Sequence, residues 1–271
     1  MIIAILMGRK GSKGFPRKNL FKVLGYPMAY YPMKAAQNCP DVGKTYISTD
    51  DDRLMALAED NGIEVIKRPV ELCTDVALGE HVYVHAYRTV KERLEAEREE
   101  RIEGKGLRTE KKCRTEDEGL SGKIEIVVLL MCNAPTITSN TISEGIKVLR
   151  EHSEYDSAVT VSKYNMWSPL RARKIDANGL LKPFVPFEAF GDAKTLNCDR
   201  DSQGDVWFAD MGASIVRPHC LEHLEDGLLP QKWMGQNIYP LKQWGGLDVD
   251  YEWQAPQVEF WLKLNNDESK D

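Results

Sequence analysis

The chain has 271 residues, 42% of them hydrophobic and 29% charged, with a formal net charge of -6. This is enough for one large α/β domain with a sizeable core, and it excludes collagen-like, disordered and strongly basic nucleic-acid-binding classes. Six cysteines at 39, 73, 113, 132, 198 and 220 contain no CxxC pair, so a reducing cytoplasmic setting is expected rather than a disulfide framework or structural zinc.

The first element, IIAILM (2–7), reads as a buried strand that runs into GRKGSKG. It is too short for a signal peptide. Pro27 to Asn38 reads as a helix, KTYIST (44–49) as a second strand, and DDRLMALAEDNG after Asp50 as a helix closed by Gly62. IEVI (63–66) is a third strand and Leu78 to about Glu97 a long helix. IEIVVLLM (124–131) is the most apolar run and is expected to be a central strand. No run approaches the roughly 20 apolar residues that span a bilayer, so no membrane partner is expected.

Alternating strands and helices predict an α/β, doubly wound, mostly parallel sheet in a single domain over 1–271. Ligands of such sheets sit at the carboxyl ends of the strands, where GRKGSKG, STDDD, KRP and CNAPT stand here. Two segments interrupt the pattern. Residues 98–123 hold 15 charged residues and four glycines among 26, and read as a flexible insertion. Residues 162–205 lose helical periodicity around DANG, Pro183 and Pro186, and read as a projecting β-rich arm.

The opening loop fits neither GxxxxGK[ST] nor GxGxxG. Backbone N–H groups of Gly11, Ser12 and Gly14 can still form an anion nest, and Arg9, Lys13 and Lys18 add charge suited to phosphates. The alternative is a solvated turn. In GLDVD, Asp248 and Asp250 stand two apart, so on a strand both face one way. Two such carboxylates suit Mg²⁺, which completes its shell with water and substrate phosphates; the alternative is a solvated acidic strand end. Thr49 and Asp50 after a strand suit a helix N-cap. His81 and His85 are four apart but lack the HExxH glutamate, and read as a helix face.

GRKGSKGFPRKN resembles the ARGGSKGIPRKN signature of the cytidylyltransferases that activate acidic sugars, the CMP-sialic acid synthetase family. LGYPMAYYPM, ISTDDDRL and KRPVELCTDVALGEHVYVHA resemble further motifs of that family in the same order, and the ending around GLDVD resembles its IDIDxxxDF motif. The resemblance implies the nucleotide-diphospho-sugar transferase fold, a Rossmann-like architecture. It also implies CTP and an acidic nonulosonic sugar as substrates, and a CMP-sugar and pyrophosphate as products. Mg²⁺ would be held by Asp248 and Asp250, with Arg9, Lys13, Lys18 and Asp250 catalytic. Gly8, Gly11, Ser12, Asn19, Arg68 and Met131 would contact substrate. A homodimer is implied too, in which the arm, with Arg171, Arg173, Lys194 or Arg200, crosses to the partner's sugar site.

The chain departs from the family at the sugar side. Met131, Cys132, Asn133 and Ala134 stand where the family has glutamine, proline, threonine and serine, and Met211 where it has the asparagine of NGAIY. A thioether donates no hydrogen bond, so a group read by those amides would be left unpaired. This points away from ordinary N-acetylneuraminic acid as acceptor. It leaves open another nucleotide or sugar, or a nucleotide-binding protein that has lost catalysis.

Overall fold

A computed structural model describes residues 1–74, 76–105, 123–197, 199 and 204–267. Strand β1 (Ile2–Met7) is followed by a two-residue hairpin, β2 (Lys22–Val23) and β3 (Tyr26–Pro27), and by helix α1 (Tyr30–Gln37). Strand β4 (Lys44–Thr49), helix α2 (Asp52–Asp60), strand β5 (Glu64–Lys67), helix α3 (Gly79–Lys105) and strand β6 (Ile126–Met131) come next. Helix α4 (Ser139–Glu151) and strand β7 (Ser157–Lys163) lead into a small hairpin of β8 (Arg173–Ile175) and β9 (Leu181–Pro183). The chain returns through β10 (Trp207–Val216), a short α5 (His219–Glu222), β11 (Ile238–Gln243) and α6 (Ala255–Asp267).

The main sheet has the order β11-β7-β10-β6-β1-β4-β5, with β10 alone antiparallel to its neighbours. The expected mostly parallel, doubly wound sheet is observed, with β6 at its centre. Period two in the strands divides the core. Ile2, Ala4 and Leu6 of β1, with Ile126, Val128 and Leu130 of β6, face α1, α2 and α4. Ile3, Ile5, Val127 and Leu129 face α3 and α5 on the other side. A third apolar cluster joins Phe15 after the glycine loop to Val249 and to Val258, Trp261 and Leu262 of α6.

Several boundaries differ from those read in the sequence. The first helix starts at Tyr30, not Pro27, because Leu24 (φ 47°) and Gly25 (φ 88°) turn Lys22–Pro27 into a tight hairpin. Helix α3 runs to Lys105, into the segment read as a flexible insertion; Glu, Arg and Lys are good helix formers whatever their charge. The rest of that insertion, 106–122, lies outside the described residues.

The arm begins after Lys163, since Ser162 and Lys163 pair with Phe208 and Trp207 in the main sheet. It is less β-rich than expected, with one hairpin and several 3₁₀ turns. The DANG turn is as read: Asp176 Oδ1 accepts from Asn178 N and Leu180 N, and Gly179 takes φ 77°.

Candidate active site

The strand ends converge as the fold class requires. Chain leaving β1, β5 and β6 lines one cavity of about 540 Å³. All of the glycine-loop candidates line it: Gly8, Arg9, Gly11, Ser12, Lys13 and Lys18. Asn19, Arg68, Met131 and Asp250 also line it, joined by Asn133 and Tyr251. Asp248 is not part of the lining but lies close enough to feel the charges of Asp250 and Lys18.

The loop is held from outside and open within. Gly8 N donates to Ser48 O (3.2 Å), continuing the β1–β4 ladder by one residue. A Cβ on Gly8 would stand 2.6 Å from a Leu54 methyl and 2.9 Å from Cys132 Sγ, so only glycine fits between α2 and β6. A Cβ on Gly11 would meet nothing within 4 Å, which leaves room for a ligand against the backbone. Gly14 closes the loop against the acid segment: a Cβ there would lie 2.8 Å from the Asp250 carbonyl oxygen. Arg17 (φ 60°) then bends the chain so that Lys18 and Asn19 return to the cavity.

The polar residues divide between scaffold and ligand contact. Arg68 is buried, and its Nη2 donates to Gly8 O (3.1 Å) and Ser48 O (2.8 Å). It therefore fastens the ends of β1 and β4, and burial pulls its guanidinium below the ordinary value. Asn19 Nδ2 donates to Arg9 O (3.3 Å), while its buried Oδ1 has no hydrogen-bond partner, an acceptor available to a donor in the cavity. Asp50 is not the helix cap. Its Oδ1 accepts from Lys10 N (2.9 Å) and pins the glycine loop, while Asp51 accepts from Arg53 N and caps α2. Thr49 Oγ1 accepts from Asp51 N behind that cap.

The acid pair is not on a strand. Residues 246–250 follow β11 without joining the sheet; their backbone groups bond instead to Ser162 and Tyr164, to Asn133 and Thr136 after β6, and to Gln254. Asp250 is exposed and accepts from Lys18 Nζ at 2.6 Å. The Asp248 carboxyl is raised by burial first and by the charge of Asp250 next, with Asp210 adding to the effect and Lys18 opposing it. Asp248 and Asp250 with Lys18 as their nearby cation leave the segment with excess negative charge, and two carboxylates suit a divalent cation that completes its shell with water and phosphate oxygens. Mg²⁺ fits this donor set.

Residues that sequence reasoning missed lie mostly behind the cavity. Asp210 is buried in β10, and its Oδ2 accepts from Ser162 Oγ (2.6 Å) and Gln243 Nε2 (2.9 Å). Its other oxygen accepts from Gly212 N (3.1 Å) across a bulge in which Met211 takes φ 62°. A lone acid inside the apolar run WFADMGASIV was the available signal. Met211 itself is not among the cavity-lining residues, unlike Met131. Cys132 is fully buried with its thiol pushed up to about 12, so it is packing and not a nucleophile. His81 and His85 join no group of potential metal ligands among the described residues.

Residues 3–85 match the sequence profile of a family described as Cytidylyltransferase. The same part is 36% identical over 85 residues to an N-acylneuraminate cytidylyltransferase of Escherichia coli, covering 31% of this chain and 20% of that protein. It is 36% identical over 77 residues to the enzyme of that name from Streptococcus agalactiae, covering 28% of this chain and 19% of that protein. The match thus spans about a fifth of those relatives' length. Among solved structures, a CMP:2-keto-3-deoxy-manno-octonic acid synthetase complexed with CTP superposes with TM-score 0.61 at 14% identity, over 97% of this chain and 99% of that one. The N-terminal part is thus similar in sequence to cytidylyltransferases, and the fold of that synthetase extends over nearly the whole chain.

Proposed function

We propose that this chain is a Mg²⁺-dependent cytidylyltransferase that transfers CMP from CTP to the anomeric hydroxyl of an acidic, nonulosonic sugar and releases pyrophosphate. The observation that carries the reading is the meeting of a cationic glycine loop and an acid pair in one cavity, in a chain whose N-terminal part matches cytidylyltransferases. The acceptor hydroxyl attacks the α-phosphate in line, and catalysis is mainly positioning and charge stabilisation.

Backbone amides of Gly11, Ser12 and Gly14, with Arg9 and Lys13, hold the phosphates and offset charge on the departing pyrophosphate. Asn19 Oδ1 accepts a hydrogen bond from the nucleotide. Arg68 braces the loop from the cavity wall, since its Nη2 donates to the carbonyls of Gly8 and Ser48. Lys18 sits between Asp250 and the phosphate loop and balances both. Asp248 and Asp250 would hold Mg²⁺, which when bound neutralises charge on the α-phosphate. Met131 supplies a thioether wall where relatives of this type carry an amide, which favours an acceptor other than N-acetylneuraminic acid.

The chain acts as one domain in a reducing cytoplasm and as a symmetric homodimer. The arm leaves Trp167, Phe184 and Phe190 exposed, and surfaces of that kind usually meet a partner. Arg171, Arg173 and Lys194 are exposed on the same arm, while Arg200 lies outside the described residues. Among the described residues no helix is long and apolar enough to cross a membrane, and neither a membrane nor nucleic acid is a proposed partner. A second reading, a nucleotide-binding protein without catalysis, draws on Met131 in the cavity.

The test is pyrophosphate release across the four NTPs with a panel of nonulosonic acids. Release with CTP and one acid is the expected result. Release with another nucleotide overturns the cytosine assignment, and tight CTP binding without release on any sugar favours the second reading. Sedimentation decides the assembly: a mass near 30.8 kDa at all concentrations sinks the dimer.

A further inference from the structure

The acid segment stands outside the sheet, yet two side chains after β6 hold it on either side of Asp248. Val249 N donates to Asn133 O (2.8 Å), and Asn133 Nδ2 donates back to Val249 O (3.0 Å). Leu247 N donates to Thr136 Oγ1 (2.9 Å), and Thr136 Oγ1 donates to Leu247 O (3.2 Å). Asn133 and Thr136 are both buried. Each residue flanking Asp248 is thus fixed by a reciprocal pair of bonds, a substitute for strand pairing built partly from side chains. The Val249 side chain is locked as well, in the apolar cluster shared by Phe15 and α6.

We propose that Asn133 and Thr136 are positioning residues that hold the Asp248–Asp250 pair in the geometry a divalent cation requires. The amide at 133, where the resembling family carries threonine, is on this account the reach that spans to the Val249 carbonyl. The inference rests on reading the acid pair as the cation site. Residues that orient metal ligands without touching the metal typically change affinity by about 10–100-fold when lost.

The experiment titrates Mn²⁺ into the full-length protein with saturating CTP, followed by the electron paramagnetic resonance signal of free Mn²⁺. Thr136→Val removes both bonds to Leu247 without altering the cavity lining, and Asn133→Ala removes the bond to the Val249 carbonyl. Each is expected to weaken Mn²⁺ by about tenfold or more. CTP affinity of Thr136→Val measured in EDTA should stay within about twofold, on the grounds that its hydroxyl bonds reach only the acid segment. Thr136→Ser, which keeps the hydroxyl, should bind Mn²⁺ like the wild type and guards against a variant that fails to fold. If the wild type binds no Mn²⁺, the metal reading of the site is what fails. If the wild type and both variants that lose the bonds bind Mn²⁺ equally, the positioning role is overturned. A lower melting temperature with unchanged Mn²⁺ affinity likewise reduces the clamps to ordinary structure.

Discussion

The cavity has two walls made in different ways. The cationic wall, Gly8 to Lys18, is one continuous piece of chain at the end of β1, and its fixing points are the ends of neighbouring strands: Ser48, Asp50 and Arg68. The acid wall is assembled from distant pieces, with Asn133 meeting Val249 across 116 positions of sequence. The first wall is a property of backbone at the edge of a parallel sheet, so it survives as long as β1 and β4 pair. The second is a property of tertiary packing and depends on side chains whose partners are far along the chain. Charge loss on one wall should therefore leave the other able to bind.

The largest effect is expected on the acid wall. Asp250→Asn should lower kcat by about a hundredfold or more, because a neutral amide is a poor Mg²⁺ ligand. CTP affinity in EDTA should hold or rise, since Lys18 loses its 2.6 Å partner and faces the phosphates alone. Near-normal turnover at saturating Mg²⁺ would remove Asp250 from the chemistry. Lys13→Ala acts on the other wall. Loss of one charge-assisted contact of about 1.5–3 kcal/mol predicts a fall of about 10–100-fold in kcat/KM for CTP. The Mn²⁺ affinity of the variant, measured at saturating CTP, should be close to that of the wild type. If it falls in parallel, the walls are not independent.

Gly14→Ala tests the place where the walls touch. The new Cβ would stand 2.8 Å from the Asp250 carbonyl oxygen, a backbone atom that cannot swing aside. Overpacking of this kind costs about 1–3 kcal/mol. Both Mn²⁺ and CTP affinity should fall together in this variant, unlike either charge variant. Wild-type values for both would mean that the loop and the acid segment move freely past each other.

The contrast between the walls also explains what could be read in advance. Strands β1, β4 and β6 were legible because apolar runs bounded by turn residues mark buried strands. The cationic wall was legible because glycines and lysines after such a strand are local in sequence. Its details were less so: Asp50 and Asp51 are adjacent acids after a strand, and only the fold shows that one pins Lys10 N while the other caps α2. GLDVD was read as a strand on its alternation. Its partners are in part side chains, Asn133 and Thr136, and a side-chain-to-backbone clamp leaves no periodicity to read. Met211 was assigned to the sugar side from its place in a motif. The β10 bulge, set by the buried Asp210, leaves it out of the cavity lining. In α3, charge density was taken for flexibility, although propensity favoured helix through Lys105.

The smallest expected effect is the most diagnostic for the acid wall, because its sign changes with conditions. Asp248 is an acid whose carboxyl is raised in the folded protein, chiefly by burial and then by Asp250. Such a group favours the folded state when protonated, and that contribution is lost as pH rises through its raised folded value. At pH 7.5 without metal the ionised carboxylate is therefore a cost, and Asp248→Asn removes it. The variant should melt above the wild type in EDTA at pH 7.5. The gap should close as pH falls and the wild-type carboxyl takes up its proton. Adding Mg²⁺ with CTP reverses the order: the wild type gains stability by mass action, while the variant, lacking one ligand, gains less. Thermal melts at two pH values, with and without Mg²⁺, decide the matter. A variant that melts below the wild type in EDTA at pH 7.5 would show that the Asp248 carboxylate holds the segment together, and the clamps from Asn133 and Thr136 would then not be its principal restraint.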